Sequence, residues 1–312
     1  MKLFITLLLC ILSFASVSNS TTADLTKIYG IWHCGLDYCL WHQEVPISEF
    51  DWIVDRGDGK PSFNLLVFAF LNPVKVLQEG LDAVPKAINH STVQYLQSKG
   101  ISVQFSIGGA TWVGAWNTAL STDPVTLAKN AALIALNYSV GIEIDYEGAK
   151  SVPLIDTFVS TYRQLIPANS TNSDSALLTV DTGAGTGYLT EVSEYASKWL
   201  AAGQIDWINA MVGSGPYTSI DQAIPYWEQH LHGQGKKVAP IQPSQLVVNL
   251  YSCDGSPICN TYQNTVLQGA IDWVTSNSTR GINFWAAGCQ GPNQCCDNCS
   301  GIEQGSQAFL GN

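Results

Sequence analysis

Three carboxylates in Val140-Gly-Ile-Glu-Ile-Asp-Tyr-Glu147 carry the chemistry this sequence offers most plainly: Glu143, Asp145 and Glu147 stand on every second residue of a strand-like run. In a strand alternate side chains share a face, so the acids point one way while Ile142, Ile144 and Tyr146 point the other. Neighbouring acids then lie roughly 6 to 7 Å apart at Cβ, from a rise of about 3.3 Å per residue. Acids so confined cannot all ionise at ordinary pKa values. Such crowding keeps a carboxyl protonated near neutrality, where it serves as a general acid. The competing reading is a half-exposed strand with a solvated acidic face.

The elements that must hold these acids follow from the hydrophobic pattern. Eight short β-branched or apolar runs read as strands: 27–32, 63–70, 101–106, 140–146, 176–180, 207–211, 245–251 and 281–285. Segments of helical period separate them. Asp123-Pro124 opens one helix with an N-cap and an N1 proline, running to about Asn137, and Thr190 to Ala202 ends another before Gly203. Strands alternating with helices imply parallel pairing, and eight units imply a closed (β/α)8 barrel over residues 21–312 as one domain. An open doubly wound sheet is the alternative. The first and last units show Cys-rich loops in place of a clear helix.

Composition narrows the partners. A net charge of -11 with only 12% charged residues among 312 leaves no basic surface for nucleic acid or anionic membrane, so a neutral ligand is expected. Ten Trp and twelve Tyr would suit stacking on sugar faces, or an ordinary core. Lys2, the apolar stretch Leu3 to Val17 and the small Ser18 and Ser20 read as a signal peptide, residues 1–20, and hence as secretion. Its removal takes Cys10 and leaves Cys34, Cys39, Cys253, Cys259, Cys289, Cys295, Cys296 and Cys299, an even set expected to form disulfides. Sequons at Asn89, Asn137, Asn169 and Asn277 agree with that compartment. No metal is expected: the Cys289–Cys299 cluster has no histidine beside it, and His230 and His232 fall on different helix faces. Gly183-Ala-Gly-Thr-Gly187 has neither Rossmann nor P-loop spacing and reads as a barrel-top loop after the fifth strand. No cofactor is expected, and a monomer is.

With the motifs placed, Gly141-Ile-Glu-Ile-Asp-Tyr-Glu147 resembles the D-G-x-D-x-D-x-E signature on the fourth strand of family 18 glycoside hydrolases, the chitinases and endo-β-N-acetylglucosaminidases. Phe68-Ala-Phe70, Ser106-Ile-Gly-Gly109 and Gly281-Ile-Asn-Phe-Trp285 resemble that family's second, third and eighth strands, in order, so the likeness spans residues 27–290. The resemblance implies substrate-assisted retaining hydrolysis of β-1,4-linked N-acetylglucosamine, in chitin, chito-oligosaccharides or N-glycan cores. It implies Glu147 as acid and base, Asp145 orienting the acetamido group, and Glu143 sharing a proton with Asp145. Trp285 would floor the sugar site, with Phe70, Met211, Tyr251, Tyr217 and Trp112 as further sugar-contacting candidates.

Three positions depart from the family pattern. Val140 replaces the opening aspartate, Glu143 replaces the middle one with an added methylene, and Met211-Val-Gly-Ser214 stands where the family has M-x-Y-D. The tyrosine that would bind the acetamido carbonyl is therefore Gly213. Tyr217 and Tyr251 are the candidates to replace it, a slow enzyme is expected if neither does, and a lectin or inhibitor that keeps the cleft without turnover is the alternative function.

Overall fold

In a computed structural model, residues 23–37, 39–148, 151–168, 174–211, 219–252, 265–288 and 299–311 are described. The signal-peptide reading, Asn169, Gly213, Ser214, Tyr217 and five of the eight cysteines lie outside them.

All eight expected strands form, and they close into a parallel barrel in chain order. They are β1 (Ile28–His33), β2 (Leu65–Leu71), β3 (Ser102–Gly108), β4 (Gly141–Asp145), β5 (Leu178–Thr182), β6 (Ile208–Ala210), β7 (Leu246–Tyr251) and β8 (Gly281–Ala287). The helices are α1 (Asp51–Val54), α2 (Pro73–Glu79), α3 (His90–Ser98), α4 (Val113–Thr122), α5 (Pro124–Tyr138), α6 (Val152–Leu165), α7 (Thr190–Ala201), α8 (Ile224–His232), α9 (Thr265–Asn277) and α10 (Ser300–Leu310). The open-sheet alternative is excluded by β1 pairing with both β2 and β8.

The local chemistry accounts for these boundaries. Asp123 accepts hydrogen bonds from the N–H groups of Val125 and Thr126 and caps α5, with Pro124 at its first position. The outer units, where the sequence shows loops, do carry helices: one short turn after β1, and α10 after β8. Ser300–Leu310 buries Ile302 and Phe309, and Tyr29 of β1 donates to the Ile302 carbonyl at 2.8 Å, so α10 is fixed by contacts 273 residues away in sequence. Local patterning does not carry that information. Cys34 and Cys39 form a disulfide in the loop that follows β1.

Two apolar cores result. One lies between barrel and helices and takes Ile142, Ile144 and Tyr146 from β4; the other lies inside the barrel and takes Trp32, Leu65, Val67, Ala69, Trp207 and Val247. The inside is also unusually polar. Gln104, Ser106, Glu143, Asp145, Thr179, Asp181, Asn209, Asn249 and Asn283 are all buried. The acidic face of β4 is therefore an interior face, and the solvated-face reading is overturned.

Candidate functional site

The carboxyl end of β4 is built by its neighbour β3. Ser106 pairs with Glu143 and Gly108 with Asp145. A Cβ on Gly108 would lie 1.9 Å from the Asp145 carbonyl oxygen and 2.2 Å from Trp116 Nε1, at a φ of +121°, so only glycine fits. Gly109 donates its N–H to the same carbonyl at 3.0 Å, and a Cβ there would meet the Phe70 ring at 2.8 Å. The two glycines of Ser106-Ile-Gly-Gly109 thus let β3 close against both Asp145 and Phe70. Trp116 is fully buried and donates to the Asp145 and Ile107 carbonyls at 2.9 and 3.2 Å. It is a core residue that fixes the backbone of the acid, whereas Trp112 is half-buried at the barrel top.

The three acids occupy a gradient of burial. Glu143 is fully buried, Asp145 is 3% exposed, and Glu147 is half-buried just beyond the strand. The added methylene of Glu143 lets its carboxylate span the barrel. It accepts Trp32 Nε1 at 2.7 Å from β1 and Asn209 Nδ2 at 2.7 Å from β6. Burial raises its pKa, while the Trp32 hydrogen bond opposes the rise. Asp145 lies well above the usual aspartate range, first through burial and then through the charges of Glu147 and Glu143. Burial raises Glu147 as well, while Tyr188 and the Ala110 backbone oppose it by hydrogen bonding. A raised carboxyl at the cleft surface is the property a general acid needs.

Above the acids lies an aromatic floor. Phe70 and Trp285 are half-buried and stack at 5.5 Å with planes 20° apart; Trp32 lies 6.0 Å from Trp285. Tyr251 pairs with Trp285 in register and packs in the same cluster. Met211 stands half-buried after β6, its N–H bonded to the Thr182 carbonyl. The site candidates within the described residues are thus all at the carboxyl end of the barrel, the face where (β/α)8 sites form. Among the described residues no group of three or more His, Cys, Asp or Glu has the geometry to hold a metal.

Besides Trp32 and Asn209, two further partners of the acids escaped the sequence reading. Tyr188, 58% exposed on the loop after β5, donates to Glu147 Oε2 at 3.4 Å. The glycine-rich segment before it explains its position: Cβ atoms on Gly183 and Gly185 would strike Tyr188 O at 2.5 Å and Gln229 Oε1 at 2.6 Å, so the loop folds tightly on itself and on α8. Buried His230 bonds the Gly183 carbonyl at 2.9 Å and anchors it, which is a structural task. The second missed residue is Asp181. The sequence ends the fifth strand at Val180, but β5 runs to Thr182 and turns Asp181 into the barrel beside Glu143. A lone acid continuing the alternation of Thr179 was the available signal.

No known family model and no curated protein matches the sequence. Solved structures match the fold, among them GH18 chitinases, the family the motifs resemble. A GH18 chitinase from Pseudoalteromonas aurantia superposes with a TM-score of 0.59 at 17% identity, covering 83% of this chain and 93% of that one. A plant class V chitinase mutant from Cycas revoluta, in complex with (GlcNAc)3, gives 0.60 at 15%, covering 85% and 97%. A chitinase from Rhizomucor miehei gives 0.57 at 14%, covering 90% and 98%. The chain therefore has the (β/α)8 architecture of the GH18 chitinases, at identities that establish architecture alone.

Proposed function

We propose that this chain is a secreted, diverged family 18 glycoside hydrolase that cleaves β-1,4-linked N-acetylglucosamine in chitin or its oligosaccharides. The observation that carries the reading is the pairing of buried Asp145 with half-exposed Glu147 beside the Phe70–Trp285 floor. An N-acetylglucosamine residue seated on Trp285 would present its acetamido group to Asp145 and its glycosidic oxygen to Glu147. Glu147 gives its proton to that oxygen as the bond to C1 breaks, and the acetamido oxygen bonds to C1, leaving a positive oxazolinium nitrogen. That charge favours the ionised form of Asp145, which burial otherwise opposes. Water then attacks C1, the bond between C1 and the acetamido oxygen breaks to restore the acetamido group, and Glu147 takes the proton that the water gives up. Cycas revoluta chitinase structures in complex with (GlcNAc)3, (GlcNAc)4 and allosamidin support the substrate class by analogy with those proteins.

Secretion rests on residues 1–20, with exposed Asn89, Asn137 and Asn277 available as glycan acceptors. The described part has no helix long and apolar enough to cross a membrane. The alternative, a binding protein without turnover, draws on Gly213 and Ser214; the Tyr188 hydroxyl beside Glu147 favours the enzyme. Incubating the purified chain with chito-oligosaccharides and, separately, with a high-mannose glycopeptide, followed by mass analysis, decides among the readings. Cleavage of chito-oligosaccharides is the expected result. Cleavage of the glycopeptide alone makes the protein an endoglycosidase, and binding without products makes it a lectin.

A further inference from the structure

The acid cluster holds a feature that its resemblance to other barrels does not anticipate. Asn209 uses both hydrogens of Nδ2 on carboxylates, giving one to Glu143 Oε2 at 2.7 Å and one to Asp181 Oδ1 at 2.9 Å, while its own Oδ1 accepts Trp207 Nε1 at 3.1 Å. Glu143 thus receives a donor on each oxygen, counting Trp32. Asp181 receives only one. Its Oδ2 is buried and meets no N–H or O–H donor. A buried ionised oxygen without a donor is costly, whereas a protonated one is satisfied by any acceptor in reach. The acceptor placed beside it is Glu143, because one Asn209 amide nitrogen bonds both carboxyls, at 2.7 and 2.9 Å.

We infer that Glu143 and Asp181, bridged by Asn209, hold one proton between them, and that Asp181 rather than Asp145 is the proton-sharing partner of Glu143. The proton resides on Asp181 Oδ2 and is donated to Glu143, the member with two N–H donors. Asp145 also has a buried oxygen, Oδ1, that meets no donor, but among the described residues no amide bridges it to Glu143 as Asn209 bridges Asp181. The groups that face Asp181 agree with this count. β4 presents Glu143 and Asp145, β6 presents the neutral Asn209, and none of the four ion pairs among the described residues reaches the cluster. With no cation among these facing groups, two buried acids bridged by one amide keep a proton between them. Burial, then the charges of Glu143 and Asp145, push Asp181 well above the usual aspartate range. Asp181 is a positioning residue: it acts through Glu143 and touches no substrate.

The role in catalysis rests on the hydrolase reading, but the proton itself is measured without substrate. The first test is infrared spectroscopy of protein carrying carboxyl-labelled aspartate at neutral pH. A protonated aspartic acid band that survives in Asp145→Asn and is missing its Asp181 contribution in Asp181→Asn is the expected result. Loss of every protonated aspartic band in Asp145→Asn assigns the proton to Asp145 and overturns the inference, as does absence of such a band from the parent. The second test is the slope of unfolding free energy against pH. The folded chain holds a proton that the unfolded chain has released above a pH of about 4, so stability falls as pH rises, and Asp181→Asn should reduce that slope by about one proton. A variant destabilised equally at every pH has lost packing only, and the inference fails. Absence of glycan cleavage would sink the hydrolase reading and leave both proton measurements as they stand.

Discussion

Among the described residues Glu147 has one side-chain hydrogen-bond partner, and that partner is tunable. Tyr188 donates to its carboxylate and so opposes the rise in pKa that burial causes. In Tyr188→Phe the opposition is removed, Glu147 keeps its proton to higher pH, and the alkaline limb of kcat/KM moves upward. Losing one hydrogen bond should also cost about 2- to 10-fold in rate. A pH–rate profile checks both effects, and an unmoved alkaline limb would remove Tyr188 from the acid's environment. Glu147→Gln has no proton to give, so kcat should fall by about a hundred- to ten-thousandfold while affinity for a chito-oligosaccharide stays within a few-fold. Calorimetric binding beside turnover measures the difference; retention of most turnover takes Glu147 out of the acid's role.

At the scale of elements, the β3–β4 junction holds the acids in place. Gly108 sits at positive φ with the Asp145 carbonyl and the Trp116 indole where its Cβ would be. Gly108→Ala must displace one of them. The expected cost is about 3 kcal/mol or more, combining overpacking with left-handed strain. Urea unfolding gives the number, and a loss under about 1 kcal/mol would show that the junction yields more easily than close packing permits. Activity should fall with it, because the carbonyl that moves belongs to Asp145.

Over the whole molecule, opposed sets of buried groups shape the pH dependence of stability. His33 and His230 are buried, and burial lowers them to about 3 and about 4. The folded chain binds fewer protons than the unfolded one below a pH of about 6.5, so these histidines cost stability as pH falls. Glu143, Asp145 and Asp181 are raised, chiefly by burial. For them the folded chain binds more protons, and stability is lost as pH rises from about 4 through their folded values, the reverse of an ion-paired carboxylate. Above a pH of about 6.5 the histidines no longer act, so wherever the buried acids still hold their protons the urea midpoint should fall as pH rises. A midpoint that is level or rising there contradicts the burial of uncompensated acids.

The sequence by itself determined the barrel and the acids on β4. Eight apolar runs, an N-cap with proline at Asp123-Pro124 and a period-two row of acids are local signals, and each survives in the fold because local propensity and burial agree there. The resemblance of four motifs ordered the strands correctly. What tertiary structure decided is which residues surround those acids. Asp181 lies one residue past an expected strand end, Asn209 and Trp32 are ordinary strand residues until the barrel closes, and Tyr188 follows a loop whose path depends on α8. Whether Trp116 lines a groove or pins a carbonyl is likewise decided by close packing against β3 and β4. Strand spacing fixes the direction of a side chain, whereas its partners, and therefore its proton, are fixed by contacts with strands far away in sequence.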